Sequence, residues 1–187
     1  MSAQTTPADA LELLIADHRE VDQLFELMVT ARASNDVEGQ RYVFDHVVHD
    51  LSVHAVIEEE ILYPAMRKAL PDGDQQVEHA LEEHQQAKEL LTRIDGKSPD
   101  DTDAQSAFDE LVIAIREHVE EEEGELFAQM RSACSQDDLV DMGVKLEKAR
   151  KAAPTHPHPH APNTPPGNMI AGGVAMVLDK IRDAVRK

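Results

Sequence analysis

Two stretches of the chain read HAVIEEEILYPAMR (54–67) and HVEEEEGELFAQMR (118–131). Each sets a glutamate four residues after a histidine, His54 with Glu58 and His118 with Glu122, at an offset of 64 residues. Leu62 and Leu126, Tyr63 and Phe127, Met66 and Met130, and Arg67 and Arg131 match at the same offset. Upstream of each stretch, HREVDQL from His18 and HQQAKEL from His84 share a histidine followed six residues later by leucine, at an offset of 66. The repeated unit is therefore one histidine on a first segment and His-x-x-x-Glu on the next, with His-to-His separations of 36 and 34 residues. Imidazole and carboxylate are borderline-to-hard ligands that suit iron, manganese or zinc, and a glutamate one turn from a histidine can bridge two cations. Two-metal sites hold their ions roughly 3.5–4 Å apart, a span that a bridging carboxylate matches.

Such ligands are useful only if helices aim them at one another. At about 100° per residue, positions four apart share one helical face. His18 falls in the stripe of Leu11, Leu14, Val21 and Phe25, and His84 among Val77, Leu81, Ala87 and Leu91. His54 follows Val47 and Leu51 with Glu58 one turn on; His118 follows Leu111 and Ile115 with Glu122 one turn on. All four histidines and both glutamates then point into an apolar interior. Two carboxylates buried there without counter-charge would cost many kcal/mol or take up protons; a pair of cations removes the difficulty. His49 and His79 lie about 140° from that stripe and are expected to face solvent, while His46 lies at its edge. Tyr63 is placed either as a phenol near the site or as core.

The surrounding pattern is helical. A first helix should run from Thr6-Pro7, with Thr6 as cap and Asp9 in the first turn, to about Ala33. Further helices are expected over roughly 37–69, 74–94 and 102–132, broken at Ser34-Asn35-Asp36, Pro71-Asp72-Gly73 and Gly96-Lys97-Ser98-Pro99. Four amphipathic helices with short connections predict an all-α, up-down-up-down four-helix bundle. A shorter fifth helix is expected over 136–152, with Leu139, Met142, Val144 and Leu146 on it. Residues 153–168 hold six of the ten prolines and cannot be helical, so they form an extended strap. A final amphipathic helix over about 174–186 offers Val174, Val177, Leu178, Ile181 and Val185. The division expected is a bundle over 8–152 and a Pro/His-rich tail over 153–187. His156, His158 and His160 alternate with prolines in that tail; they read as incidental to a stiff strap, with a weak second metal site as the alternative.

Composition excludes several classes. Aromatics are 3% of 187 residues and Trp is absent, which favours helices over a sheet sandwich. A formal net charge of −19 opposes nucleic-acid binding, because phosphate neutralisation needs clustered Lys and Arg. Cys134 is the sole cysteine, so neither a disulfide framework nor a thiolate metal site is expected. The opening MSAQTTPADA lacks a basic start and an apolar run, and no stretch approaches the roughly 20 apolar residues of a membrane span, so a cytoplasmic protein is expected.

On H18…H54-x-x-x-E58…H84…H118-x-x-x-E122 the chain resembles the hemerythrin-like proteins with an HHE cation-binding domain, over roughly residues 8–132. The resemblance implies a non-haem centre of two iron ions, oxo- or hydroxo-bridged. His18 and His54 would bind one iron, His84 and His118 the other, and Glu58 and Glu122 would bridge. One departure matters. Oxygen-carrying hemerythrins have His-x-x-x-His on the third helix and an aspartate five residues after the fourth-helix histidine. Here Lys88 stands four residues after His84, Ala80 one turn before it, and Glu122 stands at four residues rather than five. The missing imidazole shifts the expected function from oxygen carriage to binding or reacting with small oxidants, namely hydrogen peroxide, oxygen or nitric oxide, with catalase-like activity among them. The alternatives are an oxygen, iron or nitric oxide sensor, or an iron-buffering protein without turnover. A small-molecule ligand is the expected partner, and the chain is expected to be a monomer or homodimer.

Overall fold

The computed structural model describes residues 8–162 together with 175–176, 179–180 and 182–183. Seven α-helical segments follow in order among the described residues: α1 (Ala10–Ser34), α2 (Val37–Ile57), α3 (Tyr63–Ala69), α4 (Gly73–Ile94), α5 (Thr102–Glu121), α6 (Phe127–Ala133) and α7 (Gln136–Arg150). A π-helical turn, Glu58–Leu62, joins α2 to α3 without a break, and a second, Glu122–Leu126, joins α5 to α6. The four long rods are the helices expected from the sequence, and the all-α bundle is the fold.

Side-chain caps start three of the four rods and α7, while Asp72 before α4 makes no side-chain cap bond. Asp9 caps α1 in a reciprocal box with Glu12, each side chain accepting from the other's backbone N–H at 2.9 and 3.1 Å. Asp9, expected in the first turn, is thus itself the cap, and the helix begins at Ala10 rather than after a Thr6 cap; Thr6 and Pro7 lie outside the described residues. Asp36 accepts from Gly39 N–H at 3.0 Å, Asp101 caps α5, and Ser135 with Asp138 boxes α7. Asn35 ends α1 in the left-handed region at φ 54°, a conformation asparagine tolerates.

The rods form a closed ring of neighbours, α1–α2–α4–α5 and back to α1. Arg116 of α5 pairs with Asp22 and Glu26 of α1, both at 2.8 Å. The interior is two apolar clusters rather than one. The first joins Leu11, Leu14, Ile57, Leu62, Met66, Leu81, Phe127 and Met130. The second joins Val21, Phe25, Phe44, Leu51, Leu91, Phe108, Leu111 and Ile115. His18 stands between Leu14 and Val21, and His84 between Leu81 and Ala87, so the polar residues occupy the seam between the clusters.

Helix α7 crosses α1 and α2 and closes the first cluster with Leu139, Met142 and Leu146. Val144, grouped with them in the sequence reading, is 60% exposed, because two residues from Met142 and Leu146 put it on the opposite face. Gly143 is required by the crossing, since a Cβ there would stand 2.9 Å from the Ala8 carbonyl oxygen. The strap docks on the bundle: Ala153, Pro154 and His156 are buried. Of the expected last helix, the described residues 175–176, 179–180 and 182–183 are helical; Val174, Val177, Leu178, Ile181 and Val185 lie outside them. No helix among the described residues is long and apolar enough to cross a membrane.

Candidate metal centre

His18, His54, His84 and His118 are 4–6% exposed, and Glu58 and Glu122 are fully buried. Their reactive ends converge. Glu58 Oε2 lies 3.2 Å from His54 Nε2 and 3.3 Å from His84 Nε2. Glu122 Oε2 lies 3.4 Å from His18 Nε2 and 3.7 Å from His118 Nε2. Each carboxylate therefore straddles imidazoles from two different hairpins. Two overlapping donor sets result, His18, His54, Glu58 and Glu122 in one, and Glu58, His84 and His118 in the other, each with its ligand atoms within 4.8 Å of one another.

The π turns begin at the two glutamates. In each turn the N–H five residues on, Tyr63 or Phe127, donates back to the glutamate carbonyl. In a regular α-helix that residue would point about 140° away from the glutamate; the wider turn swings it back over the site. Pro64 explains the first slip, because its ring would clash with the carbonyl four residues back and it has no N–H to donate. Gly124 weakens the helix at the second. As a result Phe127 stacks on His18 at 6.1 Å, and Tyr63 lies against His84 with its hydroxyl 3.0 Å from Nε2. Tyr63 is both a phenol at the site and a core residue.

A second layer was missed by sequence reasoning. Every inward imidazole is gripped from behind at Nδ1 by a carboxylate: His18 by Glu123 (2.9 Å), His54 by Asp17 (3.3 Å), His84 by Glu59 (3.0 Å) and His118 by Glu83 (2.8 Å). In each case the carboxylate comes from the neighbouring rod, so the grips run α1 to α2, α2 to α4, α4 to α5 and α5 to α1. The signal was present in the repeat, as Asp17-His18 against Glu83-His84 and Glu58-Glu59 against Glu122-Glu123. Cations hold the grips in turn: Arg150 on Asp17 (2.8 Å), Arg19 on Glu123 (2.7 Å) and Lys88 on Glu59 (2.6 Å). Burial alone would raise the Asp17 and Glu83 carboxyls, but hydrogen bonds to His54 and Arg150, and to His118, hold both below their ordinary range.

These grips commit the Nδ1 protons outward, so each Nε2 turns inward and could serve as a ligand atom. His18 and His54 oppose their Nε2 atoms at 3.2 Å. All four oxygens of Glu58 and Glu122, and His118 Nε2, are buried without a hydrogen-bond partner. Such a cluster of acceptors is stable only with protons or cations between them. In the metal-free chain protons serve in part. Burial disfavours the charged imidazole of His54, but Glu58 and Asp17 outweigh it and raise its pKa to about 10. His84 is raised to about 9 by Glu58 and Glu59 against the same burial, and Glu58 is held well below the usual range by His54 and His84. The donor set fits cations of the iron, manganese or zinc type.

The other sequence candidates fall elsewhere. His49 and His79 are exposed, as expected. His46 is half-buried, stacked on Tyr42 with Nδ1 2.8 Å from the Tyr42 carbonyl, away from the centre. Two of the strap histidines, His156 and His158, are not incidental, while His160 is exposed. His156 spends one ring nitrogen on Asp95 (3.1 Å) and the other on Asp183 (2.9 Å), and His158 reaches Asp179 at 3.1 Å. They tie the strap to α4's end and to the last helix. Burial and the Asp138 charge push the Cys134 thiol up, which leaves it a poor nucleophile.

Comparison with known proteins agrees with this geometry. The family model described as "Hemerythrin HHE cation binding domain" matches residues 9–130. An uncharacterised hemerythrin-like protein of Schizosaccharomyces pombe is 30% identical over 177 residues, covering 94% of this chain and 86% of that protein. A DNA nickase of Nostoc sp. is 30% identical over 139 residues, 74% of this chain but 38% of the nickase. No solved structure matches. With the family model spanning most of the chain and the yeast relative matching nearly end to end, the chain belongs to the hemerythrin HHE cation-binding family.

Proposed function

We propose that the protein is a non-haem di-iron protein that binds or reacts with small oxidants, with His18, His54, Glu58, His84, His118 and Glu122 as the metal ligands. The observation that carries this reading is the double straddle: each buried, partnerless carboxylate stands between one imidazole of each hairpin, the position of a bridge between two cations. Bound iron would supply one- and two-electron exchange with hydrogen peroxide, oxygen or nitric oxide.

The chain's own groups set the rest. The four Nδ1 grips fix ring orientation and make each imidazole a better donor. Tyr63, whose phenol burial and the nearby Glu58 charge hold well above its ordinary pKa, stays protonated and can donate a hydrogen bond into the centre. The cavity bounded by the four histidines is about 20 Å³, room for a solvent-sized molecule, so only ligands of very few atoms fit beside the ligands. Its walls, Val21, Leu51, Ala55, Leu91 and Ile115, exclude bulk water. Decomposition of two peroxides to dioxygen and two waters needs no co-reactant beyond peroxide itself. The net charge of −19 keeps nucleic acid outside this reading, and a cytoplasmic location goes with it.

The test is metal analysis with an optical spectrum of the protein as isolated, followed by peroxide turnover. About two irons per chain, near-ultraviolet absorption and turnover abolished in Glu58→Ala support the reading. A colourless, zinc-loaded protein overturns its redox part. A sensing role draws on one observation: strap residues Pro154, His156 and His158 line the same pocket as Glu59 and Lys88, so the strap touches the support of His84. Iron-loaded protein that leaves peroxide untouched, while its strap becomes protease-sensitive on oxidation, would put sensing first.

A further inference from the structure

His156 has no part in the metal centre, yet it is buried with both ring nitrogens on carboxylates of different elements. Nδ1 lies 3.1 Å from Asp95, which ends α4, and Nε2 lies 2.9 Å from Asp183 on the last helix. A carboxylate only accepts, and a neutral imidazole donates from one nitrogen alone, so both bonds together require the imidazolium. Without that proton a ring lone pair would face a carboxylate oxygen. Both carboxylates have further donors: Thr155 Oγ1 on Asp183 at 3.0 Å and Arg182 on Asp95 at 2.7 Å. Burial alone would raise the Asp183 carboxyl, but hydrogen bonds from His156 and Thr155 hold it below its ordinary range. The bond to Asp95, and then that to Asp183, raises His156 above its ordinary pKa against burial and the Arg182 charge. From α2, His49 paired with Asp50, together with Asp45 and His46, lines the groove outside the ring. From beneath, Glu59 and Lys88 neutralise each other at 2.6 Å. His158 differs, since its contact with Asp179 uses Nε2 and a neutral tautomer satisfies it. Behind these contacts the strap roofs a cavity of about 40 Å³ whose other walls include Ser52, Glu59 and Lys88. The Ser52 hydroxyl is buried there without a partner.

We propose that the strap is a proton-latched lid: it stays closed over the Glu59–Lys88 pair behind His84 while His156 is an imidazolium, and opens when that proton leaves. Because the folded pKa is raised, the latch holds fully below the ordinary 6.5 and is lost as pH rises through the raised value. Opening admits water to the carboxylate that grips His84 Nδ1. The lid goes beyond the di-iron reading and does not depend on which metal is bound.

Hydrogen exchange of the full chain, corrected for intrinsic rates, reads the latch at the Thr155 and His156 amides, which donate to Asp179 at 3.0 and 3.1 Å. Their protection should fall by about ten-fold or more between pH 6.5 and 9, while amides in the middle of α4 stay protected. His156→Gln should lower that protection at pH 6.5 and make it flat with pH. Asp183→Asn should instead hold it at pH 9, because the Asn amide N–H donates to the neutral ring at Nε2 while its oxygen still accepts from Thr155. A contact that only ties the strap down predicts the reverse, a looser strap in Asp183→Asn at every pH. The cavity itself is read by a thiol: in a Cys134→Ser background, alkylation of Ser52→Cys at pH 7.5 should speed up by about ten-fold or more when His156→Gln is added. Wild-type protection flat with pH, equal loss of protection in α4, or an Asp183→Asn strap as loose at pH 9 as the wild type overturns the proposal. So does a Ser52→Cys thiol indifferent to His156.

Discussion

Cation uptake by this centre should release protons, and its affinity should therefore climb steeply with pH. In the metal-free chain His54 holds its proton to about pH 10 and His84 to about pH 9, both on account of Glu58 and the carboxylates behind them. A metal at Nε2 must displace those protons. At pH 7 the displacement costs about 4 kcal/mol at His54, three units below its pKa, and about 3 kcal/mol at His84, two units below. Zinc or cobalt, which avoid redox chemistry, can be titrated against a chelator between pH 6 and 8. The logarithm of the affinity should rise by about two per pH unit beyond the chelator's own dependence. Calorimetry in buffers of different ionisation enthalpy should count about two protons released at pH 7, and His54→Ala should remove one of them. The same shifts give a stability arm. Both histidines have folded pKa values above the unfolded 6.5, so their protons stabilise the metal-free fold fully below about 6.5, and that contribution is lost as pH rises through 9 to 10. Glu58 acts in the opposite sense, stabilising above its unfolded 4.5 and losing its contribution on acidification. The melting temperature of the metal-free protein should fall from pH 7 to 10 while that of the loaded protein holds. Proton release near zero at pH 7, or an affinity flat with pH, would refute the placement of those protons between imidazole and Glu58.

Three further outcomes follow from the packing. Glu83→Gln weakens the charge behind His118 Nδ1 and should lower zinc affinity by roughly 10- to 100-fold in the same chelator assay, with the metal-free melt little changed. Leu146→Ala opens the fully buried contact of α7 with the first cluster and should cost about 2–5 kcal/mol in urea unfolding; a loss under about 1 kcal/mol would show α7 to be peripheral. Tyr63→Phe copies the Phe127 arrangement onto the His84 side; it should leave metal content unchanged and shift the optical spectrum of the loaded protein, and an identical spectrum would remove the phenol from the centre.

The convergence of the four histidines and two glutamates was legible because they obey two regularities at once, a helical period and an internal repeat. Four histidines each sit inside an apolar stripe, and duplication at offsets of 64 and 66 residues picks the same ones without reference to hydrophobicity. The bundle was legible for the related reason that long amphipathic stripes broken by Asn-Asp, Pro-Asp-Gly and Gly-Lys-Ser-Pro leave little freedom. The π turns were not legible, since a slip in hydrogen bonding changes no residue and continuous α-periodicity was assumed through Pro64 and Gly124. That assumption is what left Tyr63 ambiguous. The Nδ1 carboxylates escaped for another reason. Asp17, Glu59, Glu83 and Glu123 sit next to an inward histidine or glutamate in sequence, so a single helix projects them about 100° away from it, and only the neighbouring rod gives them a histidine to hold. The strap histidines were undervalued because their partners, Asp95, Asp179 and Asp183, come from 21 to 61 residues away.

The closed circuit of grips bears on how the duplication functions. Each hairpin supports one of its own histidines and one of its partner's: Asp17 holds His54 within the first hairpin, while Glu59 of that hairpin holds His84 of the second. The straddling glutamates follow the same direction, Glu58 from His54 to His84 and Glu122 from His118 to His18. A single hairpin therefore holds only part of the cluster, and the second copy orients the first copy's His18 as well as adding its own imidazoles. Two of the differences between the copies place polar groups on one side of the cluster. Tyr63 faces Phe127 in the repeat and Lys88 faces Asp22, and both Tyr63 and Lys88 stand against His84 or the carboxylate behind it. The backbone and the carboxylate framework keep the two halves of the cluster alike, and these two side chains make them inequivalent, with a hydroxyl at His84 and an ammonium at the carboxylate behind it.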